Sequence, residues 1–141
     1  MSSGSMAYVA GAPARFEAPT LAHFLEIERG LPIAALDILA ERVAPGDSSF
    51  RYRLVPKATL ARRRGGDARL TPEESDKVIR LAKVFNFAAQ VWGSDHLARR
   101  LMHEPNMLLE QRVPLDMILS SEVGAQLVEE LIGQAKYGVA V

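Results

Sequence analysis

The sequence contains no cysteine among its 141 residues. Disulfide bonds, thiolate-bound metals and a cysteine nucleophile are therefore excluded, and the composition suits a reducing compartment. Long apolar runs are also missing, because no stretch reaches the roughly 18 apolar residues that a membrane-spanning helix needs. The first residues do not combine a charged segment with an apolar run, as a secretory signal would. We therefore expect a cytoplasmic protein without a membrane partner.

Catalytic motifs are the second absence. The sequence has no phosphate-binding glycine loop, no nucleophile elbow and no dinucleotide fingerprint. His96 and His103 fit one helix face, but no carboxylate or third nitrogen completes a metal-ligand set with them. We therefore expect no catalytic residue, no metal site, no cofactor and no enzymatic activity. A nuclease that uses His103 is the enzymatic alternative, and His103→Ala would then abolish activity without loss of folding.

The residues that are present favour a folded chain with an uneven charge. Hydrophobic residues make up 48% of the sequence, enough for the core of one domain or of two small helical ones. The formal net charge is zero, but residues 51–69 contain seven basic side chains and one acidic one. From Thr71 onward, ten acidic residues outnumber seven basic ones. Residues 51–69 therefore suit a polyanion such as DNA, whereas the C-terminal part does not.

The beginning of the chain is poor in helical periodicity. Residues 1–18 are rich in glycine, alanine and serine, so we expect a flexible N-terminus there. Residues 1–5 resemble the remnant of an expression tag, with Met6 as a native start. These residues are therefore left out of the argument about the fold.

Glycine and proline divide the next part of the chain into short helices. Helices are predicted over residues 19–29 and 32–43, separated by Gly30. A third short helix precedes Pro56, and a basic helix over residues 57–64 ends at a pair of glycines. This order of helix, tight turn and short basic helix predicts a helix-turn-helix-like DNA-binding region over residues 19–69.

The basic helix supplies the candidate contacts to DNA. Its cationic side chains fall on about two helical turns, so several of them should point outward together. Arginine suits phosphates and guanine edges because its guanidinium group donates two parallel hydrogen bonds. A solvated arginine-rich loop is the alternative, and composition alone does not decide between the two. The candidate DNA-binding residues are Lys57, Thr59, Arg62, Arg63 and Arg64.

The second half, residues 70–141, begins with the clearest helix start in the sequence. Thr71-Pro72-Glu73-Glu74 is a capping box with proline at the first helical position, and it predicts a helix that runs to Trp92. Apolar residues recur along this helix every three or four positions. We expect Phe85 and Trp92 inside the protein, while Phe87 faces another way and is available to a dimer or a partner.

Three shorter helices and an apolar tail follow. Ser94, Pro114 and Ser121 mark the three helix starts. The last helix is expected to bury one stripe of side chains, namely Val123, Leu127, Leu131 and Ala135. The tail, residues 137–141, either folds back on the body of the protein or docks into another molecule.

Several segments match, in order, the motifs of one protein family. Val55 to Arg63 looks like the end of that family's helix-turn-helix, and Leu70 to Ala82 looks like its "LTxxES…RLA" helix. The other matches are Ala98, Pro105-Asn106, Leu109 and Pro114-Leu115-Asp116, for "AxxWLxxPNxxL…PLDLL", and Glu122 to Ala125, Val128 and Tyr137-Gly138-Val139, for "TExGAxxV…YGV". On these residues, the chain from Val55 onward resembles the Xre/MbcA/ParS-type antitoxins, the partners of RES-domain toxins. It departs from the pattern at Leu101, where tryptophan is usual, at Glu110 and Gln111, where glycines are usual, and at Ala58, where arginine is frequent.

The resemblance carries expectations about fold and function. It implies an all-α fold, with the helix-turn-helix-like region followed by a C-terminal helical toxin-binding region over residues 70–141. It implies a homodimeric type II antitoxin that binds a RES-domain toxin, an enzyme that consumes NAD by ADP-ribosyl transfer or by phosphorolysis, and obstructs its NAD pocket. Binding to operator DNA, and hence repression of its own operon, is implied as well.

The end of the chain carries the expected contact with the toxin. The candidate toxin-binding residues are Lys136, Tyr137, Gly138, Val139, Ala140 and Val141. Tyr137 and its neighbours would enter a cleft of the toxin, and Lys136 would pair with acidic groups at the rim. A helix-turn-helix transcriptional repressor without a toxin partner is the alternative, and it predicts that removal of residues 137–141 leaves function intact.

Overall fold

The computed structural model describes residues 4–11, 21–66 and 69–137, and within these ranges the chain is built from helices without any strand. The α-helices are α1 (Gly4–Val9), α2 (Leu21–Arg29), α3 (Ile33–Val43), α4 (Lys57–Arg64), α5 (Pro72–Trp92), α6 (Asp95–His103), α7 (Pro114–Ser120) and α8 (Glu122–Lys136). Two 3₁₀ turns, Phe50–Arg53 and Met107–Leu109, stand between them. The all-α prediction is confirmed. No helix in the described ranges is long and apolar enough to cross a membrane.

The chain divides into two compact units, Met1–Ala82 and Lys83–Val141. The division falls inside α5, which therefore contributes its first half to one unit and its second half to the other. The sequence instead suggests a boundary at residues 69 and 70, because the capping box that follows is the strongest local signal. A capping box marks the start of a helix, and it contains no information about which side chains that helix packs against.

The first unit includes part of the segment that the sequence assigns to a flexible N-terminus. Residues 4–9 form α1, which contacts α2 and α3. Tyr8 and Val9 are buried, and the guanidinium group of Arg42 donates a hydrogen bond of 3.1 Å to the carbonyl oxygen of Val9. This apolar pair anchors α1. The sequence did not predict the helix, because the glycine-rich, serine-rich composition around Tyr8 and Val9 is typical of a flexible segment.

The core of the first unit is centred on α3. This helix buries one face, and the segment after it adds buried side chains from the first 3₁₀ turn and from α4. The buried residues are Leu36, Leu39, Val43, Phe50, Val55 and Leu60. Each large apolar side chain that leaves water in this way stabilises the fold by about 2 kcal/mol. The core thereby fixes the position of α4, whose only buried residue is Leu60.

A short bridge links the end of α2 to the start of α5. The amide of Leu70 donates to the carbonyl oxygen of Leu31 at 2.8 Å, and the amide of Leu31 donates to the hydroxyl of Ser75 at 2.9 Å. Gly30 lies beside this bridge with a φ of +92°, and a Cβ atom there would lie 2.2 Å from the carbonyl oxygen of Leu70. No other residue fits at position 30, because both the positive φ and the close approach exclude a side chain.

The predicted capping box forms at the start of α5. The amide of Thr71 donates to Glu74 Oε1 at 2.8 Å, and the amide of Glu74 donates to Thr71 Oγ1 at 3.1 Å. The helix ends at Trp92, as the sequence predicts. Phe85 is fully buried, as expected, but Trp92 is only half-buried, and Phe87 is half-buried as well.

The second unit packs α7 closely against α8 and places α6 beside α7. Gly124 permits this packing, since a Cβ atom there would lie 2.1 Å from the carbonyl oxygen of Met117. Serine caps start two of its helices: Ser94 Oγ accepts from the amide of Leu97 at 3.1 Å, and Ser121 Oγ accepts from that of Gly124 at 3.0 Å. The core residues include Ala98, Met102, Leu115, Ile118, Val128 and Ile132.

The buried face of α8 differs from the predicted one. The structure buries Gly124, Ala125, Val128, Leu131 and Ile132. Of the predicted stripe, only Leu131 is buried, while Val123 is 65% exposed and Leu127 is 44% exposed. The stripe was assigned to the wrong side because the face that packs on α7 begins with two small residues, and sequence periodicity gives most weight to the large ones.

Candidate functional site

The basic helix α4 forms where the sequence predicts it. Pro56 precedes it in extended backbone, with a ψ of 145°, and the helix covers Lys57–Arg64. Leu60 is buried and holds the helix on the core, so the opposite side is left to solvent. The exposed residues of the helix are Lys57, Ala58, Ala61, Arg62 and Arg64. Two alanines between two cations leave room for the backbone of a nucleic acid to approach this side closely.

Two of the three predicted arginine contacts are used inside the first unit. Arg63 forms an ion pair with Glu74, the same carboxylate that completes the capping box of α5. Arg64 donates two hydrogen bonds, of 2.7 and 2.9 Å, to the carboxylate of Asp37 on α3. Arg51 pairs with that carboxylate as well. Arg63 and Arg64 therefore fasten α4 to its neighbours, and their guanidinium groups are less available to a partner outside the unit.

These ion pairs perturb the two carboxyl groups in the same direction. The hydrogen bond from Arg64 holds the pKa of Asp37 below its usual range, against the opposing effect of burial. Burial raises the pKa of Glu74, but hydrogen bonds from Arg63 and Thr71 outweigh it, and the pKa is lowered. Both groups are therefore ionised, and both ion pairs are formed, at neutral pH.

Arg62 and Lys57 remain directed outward. Arg62 is exposed and forms no ion pair with any residue that the structure describes. The ammonium group of Lys57 lies 5.8 Å from the ring centroid of Tyr52, an exposed residue of the first 3₁₀ turn. Thr59 is half-buried. Sequence reasoning did not identify Tyr52 as a neighbour of the basic side, because Tyr52 lies in the preceding 3₁₀ turn and not on the basic helix itself.

The C-terminal candidates are described only in part. Gly138, Val139, Ala140 and Val141 lie outside the described residues. Tyr137 follows α8, and its ring is 81% exposed. The ammonium group of Lys136 lies 5.8 Å from the ring centroid of Phe87 and 5.9 Å from that of Tyr137. Such cation–π contacts contribute about 0.5–1 kcal/mol each at exposed sites, so they orient the last turn of α8 more than they stabilise it.

Besides Tyr52, Leu97 and Tyr137, large apolar side chains are exposed in groups of two or three at three places in the described chain. Leu21, Phe24 and Leu25 lie on α2, Met107 and Leu108 lie on the second 3₁₀ turn, and Val123 and Leu127 lie on α8. Exposed apolar clusters of this kind mark surfaces that bind other proteins. The sequence signal for them was present as helical periodicity, but periodicity does not distinguish a face that packs on the core from one that binds a partner.

A cluster of metal-binding side chains is not assembled in the part of the chain that the structure describes. Among the residues of known placement, no three histidine, aspartate or glutamate side chains could hold a metal ion together. His103 ends α6 and His96 lies near its start, exposed to solvent. The exposed features that the structure does show are a basic side of α4 and exposed apolar side chains on the C-terminal helices.

Both units match described protein families. Residues 24–83 match the family model "Antitoxin Xre-like helix-turn-helix domain", and residues 87–138 match "Antitoxin Xre/MbcA/ParS C-terminal toxin-binding domain". The chain is 34% identical over 130 residues to "Antitoxin Xre" of Yersinia enterocolitica, a match that covers 79% of this chain and 87% of that protein. It is also 32% identical over 88 residues to "Antitoxin Xre" of Pseudomonas putida, covering 62% of this chain and 55% of that protein. The predicted order of a helix-turn-helix region followed by a C-terminal helical region is confirmed.

Proposed function

The chain belongs to the Xre/MbcA/ParS family of antitoxins, and we propose that it neutralises a RES-domain toxin that consumes NAD. Family membership indicates an antitoxin with a helix-turn-helix domain and a toxin-binding domain, and hence a role other than catalysis. The toxin's reaction would be ADP-ribosyl transfer or phosphorolysis of NAD. Inhibition would require no active residue in the antitoxin, only enough surface to cover the entrance of the NAD pocket.

The observation that supports this mechanism is the position of Tyr137. Its ring is almost fully exposed at the end of α8, inside the segment that matches a toxin-binding domain, and the four-residue tail follows it directly. An amphipathic ring with an exposed face is an efficient anchor for a pocket on a partner, because it buries a large area with few rotatable bonds. We propose that residues 136–141 reach into the toxin and that Tyr137 is the anchor.

The experiment measures NAD consumption by the RES-domain enzyme encoded beside this gene. Full-length protein is compared with a version that ends at Ala135, and full-length Arg100→Ala, at an exposed position of α6, is the matched control that keeps the tail. We expect the full chain to silence the enzyme, and the shortened chain to bind without silencing it. Equal silencing by both would assign inhibition to the helical surface, and absence of binding by the full chain would contradict the proposed partner.

The basic side of α4 supports a second activity, repression of the antitoxin's own operon. Lys57 and Arg62 are the side chains best placed to contact operator DNA, and the alanines between them allow a close approach. We propose that the protein acts as a homodimer, because a two-fold pair of such helices would read the two halves of a palindromic operator. Sedimentation or light scattering of the free protein tests the dimer, and a monomer at micromolar concentration would contradict it.

A further inference from the structure

We infer that the outer stripe of α8, defined as Val123, Leu127, Glu130, Gln134 and Tyr137, binds the toxin along the helix and extends the contact that begins at Tyr137. This inference rests on the proposed function and extends it from the tail to the helix. The outer stripe would fit an aliphatic patch on the toxin, with a cationic side chain of the toxin opposite Glu130.

The five residues share one side of the helix. Their spacing alternates between four and three residues, which places them within about 80° of one another around the axis at 3.6 residues per turn. All five are exposed, and Val123, Leu127 and Tyr137 are among the largest exposed apolar side chains of the chain. The outer stripe therefore runs along the whole length of α8 and ends at the proposed anchor.

The core of the second unit does not need this side of α8. The residues that pack inside the unit, among them Gly124, Ala125 and Val128, occupy the other side of the helix, and Gly124 lies against Met117 of α7. A 15-residue helix with apolar residues on two sides serves two interfaces, and only one of them lies within this unit.

The outer stripe spans a long surface. Val123 and Tyr137 are 14 residues apart along α8, a separation of about 21 Å at 1.5 Å per residue. Val123 is 65% exposed at the end of the stripe that is distant from Tyr137. A partner that contacted both residues would therefore cover the length of α8.

The charge on the outer stripe favours a different protein over a second copy of this chain. Glu130 lies at the midpoint between Val123 and Tyr137. Two copies that met through this stripe about a two-fold axis would place one Glu130 against the other, and like charges in a desolvated contact repel. A partner with a cation at that point removes this conflict. The stripe also lies within the match to a toxin-binding domain and continues into the tail, so we assign it to the toxin.

The test measures binding of full-length variants to the RES-domain enzyme encoded beside this gene. Leu127→Asp places a charge in the apolar part of the stripe, and Glu130→Arg reverses its central charge. His96→Asp, at an exposed position of α6, is the matched control. Circular dichroism and thermal unfolding check that each variant is folded, and because Glu130 is fully on the surface, Glu130→Arg remains informative if Leu127→Asp does not fold.

We expect Leu127→Asp to raise the Kd for the enzyme about 100-fold and Glu130→Arg about tenfold, with no change for His96→Asp. Wild-type affinity in both stripe variants would overturn the inference and leave the proposed function intact. A stripe variant that kept its affinity for the enzyme but changed the mass of the free protein would overturn it in favour of self-association. If the wild-type chain did not bind the enzyme, the proposed function itself would fail.

Discussion

Gly124 lies where the backbone of α8 closely approaches the backbone of α7. We expect Gly124→Ala to destabilise the protein by about 2–4 kcal/mol, because the new methyl group would meet the backbone carbonyl of Met117, which cannot move aside as a side chain would. Urea unfolding monitored by circular dichroism measures the change.

Gly133 provides a control on the same helix. A Cβ atom there would meet nothing within 4 Å. Gly133→Ala should therefore raise the stability by about 0.5–1 kcal/mol through the better helix propensity of alanine. Equal effects of the two substitutions would show that α7 and α8 are not in close contact.

Two residues that are not glycine, Glu110 and Gln111, have the left-handed backbone conformation that favours glycine. Glu110 and Gln111 have φ values of 56° and 66°, after the second 3₁₀ turn. The amide of Gln111 donates to the carbonyl oxygen of Asn106 at 2.9 Å and holds the loop in this conformation. In the family pattern that this chain resembles, glycines stand at these two positions, and a positive φ accounts for that preference.

We expect Gln111→Gly to stabilise the protein by up to about 1 kcal/mol, because it removes the strain of a left-handed residue. The loss of chain entropy on folding opposes this gain and limits it. Thermal unfolding of wild-type and variant proteins measures the difference. Gln126→Gly, at an exposed position within α8, is the control and should lower the stability by about 1 kcal/mol. A loss of similar size for Gln111→Gly would contradict the strained conformation.

At the scale of the element, α4 shows how a basic helix divides its charges. Arg63 and Arg64 hold the helix in place, and Arg62 faces solvent. We expect Arg62→Ala to weaken binding to operator DNA about tenfold without loss of stability. The slope of log affinity against log salt concentration should become about one unit less steep, because one phosphate contact is lost. Fluorescence anisotropy at several salt concentrations measures both quantities.

Arg63 tests whether the arginines of α4 divide into structural and outward-facing ones. Arg63→Ala should lower the melting temperature, because it leaves the half-buried carboxylate of Glu74 without its cation. Arg100→Ala, on α6 and exposed, should change neither property. If Arg63→Ala weakened DNA binding with no effect on stability, the structural role of Arg63 would be refuted.

The elements also show which features a sequence determines locally. Both ends of α5 and of α4 were predicted, since Pro72, the capping box and the glycines act within one helical turn. The buried side of α8 was not, because it depends on where α7 lies, and the close approach at Gly124 outweighs the larger side chains Val123 and Leu127. The pairing of Asp37 with Arg64 joins residues 27 positions apart, and no local pattern indicates it.

At the scale of the whole molecule, acid should weaken the helix-turn-helix unit first. The pKa values of Asp37 and Glu74 are lower in the folded chain than in the unfolded one, so protonation favours unfolding. Their stabilising effect is therefore complete above about pH 5 and is lost as the pH falls through the folded pKa values. We expect Asp37→Asn to be less stable than the wild type at neutral pH and to approach it at low pH.

Urea unfolding from pH 7 to pH 3 measures this convergence. Asp76→Asn is the matched control, because Asp76 is largely exposed and pairs with Arg80 at a distance of 3.6 Å. Loss of this exposed ion pair should have little effect on stability at any pH. A constant difference between Asp37→Asn and the wild type across the range would show that the ion pairs with Asp37 do not depend on its ionisation.

The continuity of α5 bears on how such a protein is lost from the cell. The two compact units have no linker between them, because their division lies within the hydrogen-bonded turns of this helix, at Ala82 and Lys83. Proteases cleave extended chain, so a cut that separated the units would require α5 to unwind, and unwinding removes Leu81 and Phe85 from both cores. Degradation should therefore proceed without a long-lived half-molecule, and the capacity to bind DNA and the capacity to bind a toxin should disappear from the cell at the same rate.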